Sequence, residues 1–506
     1  MNTSRRRFFL LAGGTVASLG GVRGFPLRAA ETAVTPDLVR WRPEILPLVK
    51  LIETTARERC VEMLGGQLRK GVPFRELMAA AFLHALRHDG HHTVYLVHAA
   101  LAMSHRLPPA ERVLPLFWAV DVVKEHIGRF KEKPAPPLAG ELPSGERAAA
   151  EFDGGMEAWE QERAERAIIA VARSQGVAAA LQRLSYFAAR DWSFIGHVPI
   201  AVSNAWRTLQ VIGEAHAEPV LRYLVRELHA RNEKQTQGQS CDTNRELVQQ
   251  WFAKLPPDWA DSRSDEKATL ELLRIIRSGD WKRVSQWVAR GLAERWVHAG
   301  DVWNATHLAT AEFMVRFKLG NLRMANRALH SNTSGNALHH LFKVSEEART
   351  RFFIALQAPA WAADFIKNES GRGMLRDISI TALPEVEVPA TADAAVEKIF
   401  GLLPPRPFRQ EIEDRSGQDE AGQLAFAYAR RYAQHEPFLA TAHRLVTTKA
   451  TINSHDVKFP IAIFENAGWV SPEWRPHLLA ASVHFLHGTK MVDSDVVQRA
   501  RVALKS

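Results

Sequence analysis

The stretch LMAAAFLHALRHDG, residues 77–90, decides the fold class of this chain. Its apolar and small side chains recur at intervals of three and four residues, which is the period of an α-helix with one buried face. The glycine at its end is the residue that most often follows a helix C-terminus. The periodic positions are Leu77, Ala80, Ala81, His84 and Ala85.

The same period recurs along almost the whole chain. The predicted helices cover residues 45–56, 77–88, 93–104, 111–130, 156–190, 200–231, 245–252, 267–276, 280–298, 303–319, 335–357, 359–367, 423–450 and 455–505. The only strand-like run is ISITALPEVEVP, residues 378–389, whose prolines favour an extended loop. The sequence therefore predicts an all-α protein, a large multi-helical array packed as one or two lobes around a central cavity.

Composition shifts divide the chain into a leader and two helical parts. About 475 residues follow the leader, more than the ~250–300 at which a single core usually stops growing. The first predicted part is a signal segment at 1–30. It is followed by a main helical domain at 31–408, which includes a Pro-rich loop at 133–145 and an irregular segment at 368–395. A polar linker at 409–422 leads to a C-terminal helical block at 423–506, which packs on the main domain.

The N-terminus carries the clearest targeting pattern in the chain. SRRRFFL, residues 4–10, precedes an apolar Gly/Ala-rich run, and this combination resembles a twin-arginine export signal. The run is shorter than the ~20 apolar residues that a membrane-spanning helix needs. The pattern predicts delivery in the folded state, with the export machinery as partner, to the periplasm or cell envelope. It leaves cleavage open, and an uncleaved leader would be the only membrane contact.

Composition argues against a nucleic-acid partner and a disulfide framework. The net charge is +9, but residues 1–30 contain five arginines and no acidic residue, so the remainder carries only +4. Such a mild and evenly spread charge does not predict nucleic-acid binding. The two cysteines, Cys60 and Cys241, allow at most one disulfide, and neither lies in a metal-binding CxxC spacing.

The chain contains 21 histidines, and these are its main candidates for catalytic or metal-binding residues. His84 and His88 share a helix face at a metal-ligand spacing, yet the carboxylate of an HExxH motif is missing. Five further histidines lie inside or at the start of apolar helices, where a buried imidazole needs a partner or a function. They are His98, His197, His307, His330 and His455. For each one, a role in core packing or helix capping is a direct alternative to a functional role.

Several common catalytic motifs are absent from the sequence. No pair of Glu-x-x-His motifs indicates a di-iron carboxylate site, and no GxSxG elbow indicates an α/β-hydrolase. The chain also lacks a glycine-rich loop of the Rossmann or P-loop kind beyond the leader. These absences argue against nucleotide-dependent chemistry of either kind.

Three histidine segments together resemble the questin oxidase-like family. The first is GHVPI, residues 196–200, which opens a long Ala-rich helix, and the other two combine a histidine with residues that follow it. They are His330 with Thr333, Ala337 and Leu338, and His455 with Val457 and Lys458. The resemblance covers about residues 190–490. It implies an all-helical oxygenase that acts on an aromatic or polyketide-like substrate, as fungal members open anthraquinone rings in a Baeyer–Villiger sense.

These observations predict an exported helical oxidoreductase with a histidine-lined pocket that takes a small-molecule substrate. The histidines would act as acids and bases near their ordinary pKa of ~6.5, or would bind a transition metal; an organic redox cofactor is the alternative. Lys458 and Thr333 would orient an oxygen of the substrate. The predicted catalytic residues are His197, His307, His330, Thr333, His455 and Lys458, and the predicted metal ligands are His98, His307 and His330.

Two other functions stay open at this stage. The same cavity could hold a porphyrin or a quinone in a non-catalytic ligand-binding protein. Alternatively, the histidines could be core and capping residues of a structural or interaction protein. Spatial convergence of the histidines beside a cavity would favour the enzyme over the structural protein.

Overall fold

The computed structural model describes residues 39–88, 91–130, 134–190, 195–230, 239–318, 322–404 and 415–505. Within these ranges the chain forms 22 α-helices and no β-strand, which confirms the all-α prediction. The first eleven helices are α1 Leu46–Thr54, α2 Cys60–Arg69, α3 Phe74–Arg87, α4 His91–Ser104, α5 Leu114–Phe130, α6 Gly145–Ala158, α7 Gln161–Gln175, α8 Val177–Arg190, α9 His197–Ile212, α10 Ala217–Ala230 and α11 Gln239–Trp251. The others are α12 Glu266–Arg277, α13 Trp281–Glu294, α14 Ala299–Arg316, α15 Leu322–Val344, α16 Ala348–Ser370, α17 Ala392–Leu402, α18 Ser416–Arg431, α19 Glu436–Lys449, α20 His455–Trp469, α21 Arg475–Ser482 and α22 Asp495–Lys505.

One large apolar core runs through the described helices, from Ile45 at the start of α1 to Ala503 on α22. Its centre is α14, in which every residue except Gly300 and Arg316 is buried. A helix that is buried on all sides needs neighbours all round, and α12, α15, α16 and α21 supply them. The C-terminal helices belong to this core, since α20 packs on α15 and α4 while α22 packs on α2 and α5.

Four helices position the candidate site. Helix α4 packs on α9, α9 on α15, α15 on α20, and α20 on α4, so the four surround a common axis. Helix α9 begins directly after Gly196, whose φ of 83° is in the left-handed region that glycine adopts readily. Helix α20 begins at His455, as the sequence predicts. Each of these four helices therefore contributes residues to the candidate site.

The helix start predicted at residue 335 is wrong, as Thr333 and Ser334 just before it show. Both lie inside α15, and the hydroxyl of Thr333 donates to the carbonyl oxygen of Leu329 at 3.0 Å. The sequence HSNTSGN, residues 330–336, is poor in helix formers, but every one of its residues is buried. Tertiary packing outweighs the weak local propensity here.

Pro359 does not begin a helix as predicted, because it lies inside α16. A proline inside a helix removes one backbone hydrogen bond and costs ~3 kcal/mol. The buried aromatic residues of α16, among them Phe353 and Trp361, offset that cost through their packing.

Helix α18 begins at Ser416, so the end of the predicted 409–422 linker is helical, and residues 423–450 form parts of two helices rather than one.

The predicted loops lie close to their expected places. Residues 134–144 of the Pro-rich loop contain no helix, and α6 begins at Gly145. The irregular segment covers residues 371–391 with one short 3₁₀ turn, because α16 extends to Ser370 and α17 starts at Ala392. The predicted signal segment 1–30 lies outside the described residues. Among the described helices, none has both the length and the apolar character of a membrane span. Both cysteines are free and buried.

Candidate functional site

Three of the predicted histidines meet where α9, α15 and α20 pack together. The ring centroids of His197 and His330 are 4.4 Å apart. The Nε2 atoms of His330 and His455 are 3.0 Å apart, with the two rings in an edge arrangement. All three side chains are buried. The structure therefore brings together three side chains that are separated by more than 100 residues in sequence.

The hydrogen bonds determine which ring nitrogens of His330 and His455 carry a hydrogen. Oδ1 of Asn453 accepts from the backbone N–H of His455 at 3.1 Å and from its Nδ1–H at 2.9 Å. With its hydrogen on Nδ1, a neutral His455 offers Nε2 as an acceptor, to which Nε2–H of His330 donates. Burial, with the nearby Lys458 cation, holds the pKa of His455 well below its usual 6.5. His455 is therefore a neutral acceptor at pH 7 in this pair.

Lys458 lies one helical turn after His455 and is only 5% exposed. Burial disfavours the charged ammonium, and it lowers the pKa of Lys458 from 10.5 to about 7. At neutral pH the side chain is thus divided between ammonium and free amine. A lysine in this state can both donate and accept a proton.

A small cavity opens beside Lys458. Its volume is ≈ 20 Å³, which is room for about one water molecule. The cavity is lined by residues of all four site helices, namely His98, Ala99, Ile200, Asn204, Arg207, Thr333, Asn336, Lys458, Ile461 and Ala462. Nε2 of His98 is buried and has no hydrogen-bond partner in the described part of the chain. Burial holds the pKa of His98 well below 6.5, so this ring is neutral.

An ion-paired network forms one wall of the cavity. Arg207 donates to Oε2 of Glu465 at 2.8 Å and to Oδ1 of Asn336 at 3.2 Å, and the Asn336 amide donates to the same Glu465 oxygen at 2.9 Å. Arg207 is buried and lies over the ring of Trp469, 5.7 Å from its centroid. With Lys458 nearby, this wall carries one cation, Arg207, and a second basic group against one carboxylate. The cavity therefore favours a ligand that is, or becomes, negatively charged.

Thr333 lines the cavity, and its hydroxyl donates to the carbonyl oxygen of Leu329 within α15. The oxygen retains lone pairs, so Thr333 can also accept a hydrogen bond from a ligand or from Lys458.

His307 lies apart from the other predicted histidines. Its Nε2 is 2.8 Å from Nδ1 of His339, and the ring of His339 stacks on Trp303 at 4.1 Å. His330 and His339 are nine residues apart on α15, which is ~13.5 Å along the helix axis. The structure therefore does not join His98, His307 and His330 in one ligand group. The only group of three or more potential ligands found among the described residues is Glu53, His84 and His88.

Sequence reasoning missed the polar residues that complete the cavity wall. Arg207 is the only charged residue of α9, and a charge inside an otherwise apolar helix needs a buried partner. That rule could have identified it. Its partners Asn336 and Glu465 come from two other helices, and no local pattern connects them.

No protein-family model, no curated protein and no solved structure matches this chain.

Proposed function

We propose that the chain is an oxidoreductase that oxygenates a small organic substrate of aromatic or polyketide-like type at the cavity between α4, α9, α15 and α20. One observation carries the proposal: the amine of Lys458, the guanidinium of Arg207 and the unpartnered Nε2 of His98 line the same cavity. Burying two basic side chains and an imidazole without a partner around one space is unfavourable in a core that serves packing alone.

The charges of the cavity suit a substrate that forms an oxyanion. A phenol or an enolisable ketone would transfer its proton to the free amine of Lys458. The resulting phenolate or enolate would be held by the Lys458 ammonium and by Arg207. Such anions are electron-rich, and electron-rich carbon reacts with oxygen donors more readily than the neutral substrate does.

A Baeyer–Villiger oxygenation of a ketone requires further reactants besides the ketone. Ketone and dioxygen, with two electrons and two protons, give ester and water. We therefore include dioxygen and a two-electron hydride donor among the substrates. His455 lies one turn before Lys458 on α20 and is hydrogen-bonded to His330 of α15, and this pair provides a route along which the proton taken up by Lys458 can be passed on.

The size of the cavity limits how a ring can enter. A volume of ≈ 20 Å³ does not hold an aromatic molecule. A ring substrate therefore requires the apolar side chains that line the cavity, such as Ile200 and Ile461, to move apart. The proposal thus includes an adjustment of α9 against α20 on binding.

We further propose that this activity lies outside the cytoplasm. The arginine-rich segment at residues 4–10 supports passage through the twin-arginine machinery and function in the periplasm or cell envelope. That route delivers proteins already folded, which suits a site assembled from four helices of one continuous core.

The test is oxygen uptake and product mass with a panel of hydroxylated anthraquinones and aryl ketones in the presence of a nicotinamide hydride donor. The wild-type chain is expected to consume dioxygen and to yield a product heavier by one oxygen atom. Lys458→Met should lower the rate by ~10²–10⁴-fold, the usual contribution of a general base.

Lys449→Met is the matched control for this test. Lys449 is as buried as Lys458, at 7% exposure, but it lies outside the cavity and pairs with Asp493 at 3.2 Å. It should retain the wild-type rate per folded molecule. Oxygenation that is equally fast in Lys458→Met, or a wild-type chain inert to the whole panel, would contradict the proposal.

A further inference from the structure

A second histidine group lies where α1 meets α3, and it shares no residue with the cavity wall. His84 and His88 are one turn apart on α3, with ring centroids separated by 5.0 Å. Glu53 comes from α1, and its Oε1 is 3.1 Å from Nε2 of His88. The carboxylate that the sequence around the two histidines lacks is thus supplied by another helix.

The three side chains have the spacing of a metal site. One ligand atom from each lies within 4.8 Å of the other two. Ligands of a tetrahedral ion with bonds of 2.0–2.2 Å are about 3.4 Å apart, so a small closure of the three side chains would complete the coordination. Two imidazoles and a carboxylate are a donor set that zinc and neighbouring divalent transition metals accept.

His84 gives an independent reason to expect a ligand. The side chain is 1% exposed, and neither ring nitrogen has a hydrogen-bond partner within the described ranges. A buried imidazole without a partner is unfavourable unless something satisfies it.

The surroundings hold the carboxylate in place and leave a path to solvent. The ammonium of Lys124, on α5, donates to the backbone carbonyl oxygens of Ile52 and Glu53, at 3.0 Å each, and so secures the end of α1 that carries Glu53. The Glu53 side chain itself is 25% exposed. An ion can therefore reach the group from this side, and water can occupy the position that the protein leaves open.

We propose that Glu53, His84 and His88 bind one divalent first-row transition metal ion, with water as the remaining ligand. Calcium and magnesium are excluded as the natural occupants, because both prefer sites built from oxygen alone. Three protein ligands with one open position are the pattern of zinc sites that activate water rather than of closed structural sites. The proposal does not depend on the oxygenase activity, since it rests on different residues.

The experiment is a Co²⁺ titration of the untagged, chelator-treated chain, followed by the absorption of the bound ion and then by Zn²⁺ competition. The wild-type chain should bind one Co²⁺ per molecule and release it to Zn²⁺. Glu53→Gln should weaken Co²⁺ binding at least tenfold, and His84→Gln should abolish it. His443→Gln should bind as the wild type does, because His443 is a buried histidine outside the three-ligand group that bonds to the oxygen of Leu439 in its own helix.

Two results would overturn the proposal. One is a wild-type chain that takes up no stoichiometric Co²⁺, and the other is an affinity that Glu53→Gln leaves unchanged. Each titration is accompanied by thermal unfolding with and without Zn²⁺, followed by circular dichroism. Because Glu53 is partly exposed, Glu53→Gln should fold even if His84→Gln does not, and Zn²⁺ should raise the melting temperature of the wild type but not that of Glu53→Gln.

Discussion

Lys458 shows how burial changes the chemistry of one residue. On a surface, its ammonium would keep the proton far above neutral pH, whereas here burial lowers the pKa from 10.5 to about 7. The neighbouring His455 stays neutral for the same reason, since burial is the first cause of its lowered pKa. An amine and an imidazole that are both uncharged can share a proton without creating a second buried charge.

The pH dependence of the oxygenase tests this assignment. Since the free amine is the base, kcat/KM of the wild type should rise with pH along a limb centred near 7, the pKa of Lys458. Lys458→Arg should lose this limb and at least 10²-fold in rate, because a guanidinium does not release its proton in this range. Lys449→Arg should keep the limb. An unchanged limb in Lys458→Arg would assign it to another group.

The sequence predicted which residues carry chemistry better than it predicted which of them meet. His197, His330, His455 and Lys458 were expected in one site and do lie together. His307 looked the same in sequence, a histidine in an apolar helix. It nevertheless pairs with His339, which is nine residues along α15 from His330. The difference is a distance along α15, and no local pattern reveals which turn of a neighbouring helix faces a given residue.

At the scale of elements, α15 shows where local propensity fails. Its middle, residues 330–336, contains two serines, a threonine, two asparagines and a glycine, and it predicts a helix start. The observed helix continues through it because four neighbours, α9, α14, α16 and α20, bury it on all sides. Small residues there let α9 approach closely, and Ser334 faces the glycine that begins α9.

Gly196 tests that close approach. A Cβ added at Gly196 would lie 2.4 Å from Cβ of Ser334 and 3.1 Å from the ring of Trp361. Gly71 has nearly the same φ, 84° against 83°, and nothing within 4 Å of an added Cβ. Gly71→Ala should cost about 1–2 kcal/mol for the left-handed backbone alone. Gly196→Ala should cost about 1–3 kcal/mol more, since the overlap is with packed groups.

Urea unfolding of the two glycine variants measures the difference, and equal losses would show that α9 and α15 can separate without cost. The same variant bears on the site, because His197 follows Gly196 directly. A shift of this helix end should also reduce oxygenation, whereas Gly71→Ala should leave the rate per folded molecule unchanged.

At the scale of the whole molecule, helical periodicity was sufficient to predict the all-α class. It was not sufficient for the arrangement of the helices. The C-terminal helices fill gaps between earlier ones, with α20 on α4 and α22 on α2. The site therefore combines His98 from the first quarter of the chain with Lys458 from the last. Glu53 of the proposed metal site is likewise 31 residues before His84, on another helix. Pairings over such separations follow from packing and have no signature in a single sequence.

The buried histidines also determine how the whole fold responds to acid. Burial lowers the pKa of His84 and His307 to about 3, and that of His443 and His477 to about 4, from the usual 6.5. In the unfolded chain these side chains bind protons near 6.5, and in the folded chain they do so only at much lower pH. Their contribution to stability is thus present above pH 6.5 and is lost as the pH falls toward 3–4.

We expect the free energy of unfolding to fall by about 1–2 kcal/mol for each such histidine between pH 6.5 and 5. Ordinary carboxylates, with pKa values near 4, titrate mostly below this window, so the histidines dominate it. Urea midpoints at pH 7, 6 and 5 measure the loss. His443→Gln, which removes one of these groups, should flatten the dependence by at most about 1.4 kcal/mol per pH unit. A midpoint that is the same at pH 7 and pH 5 would mean that the buried imidazoles accept protons without unfolding, and that the core is open to water around them.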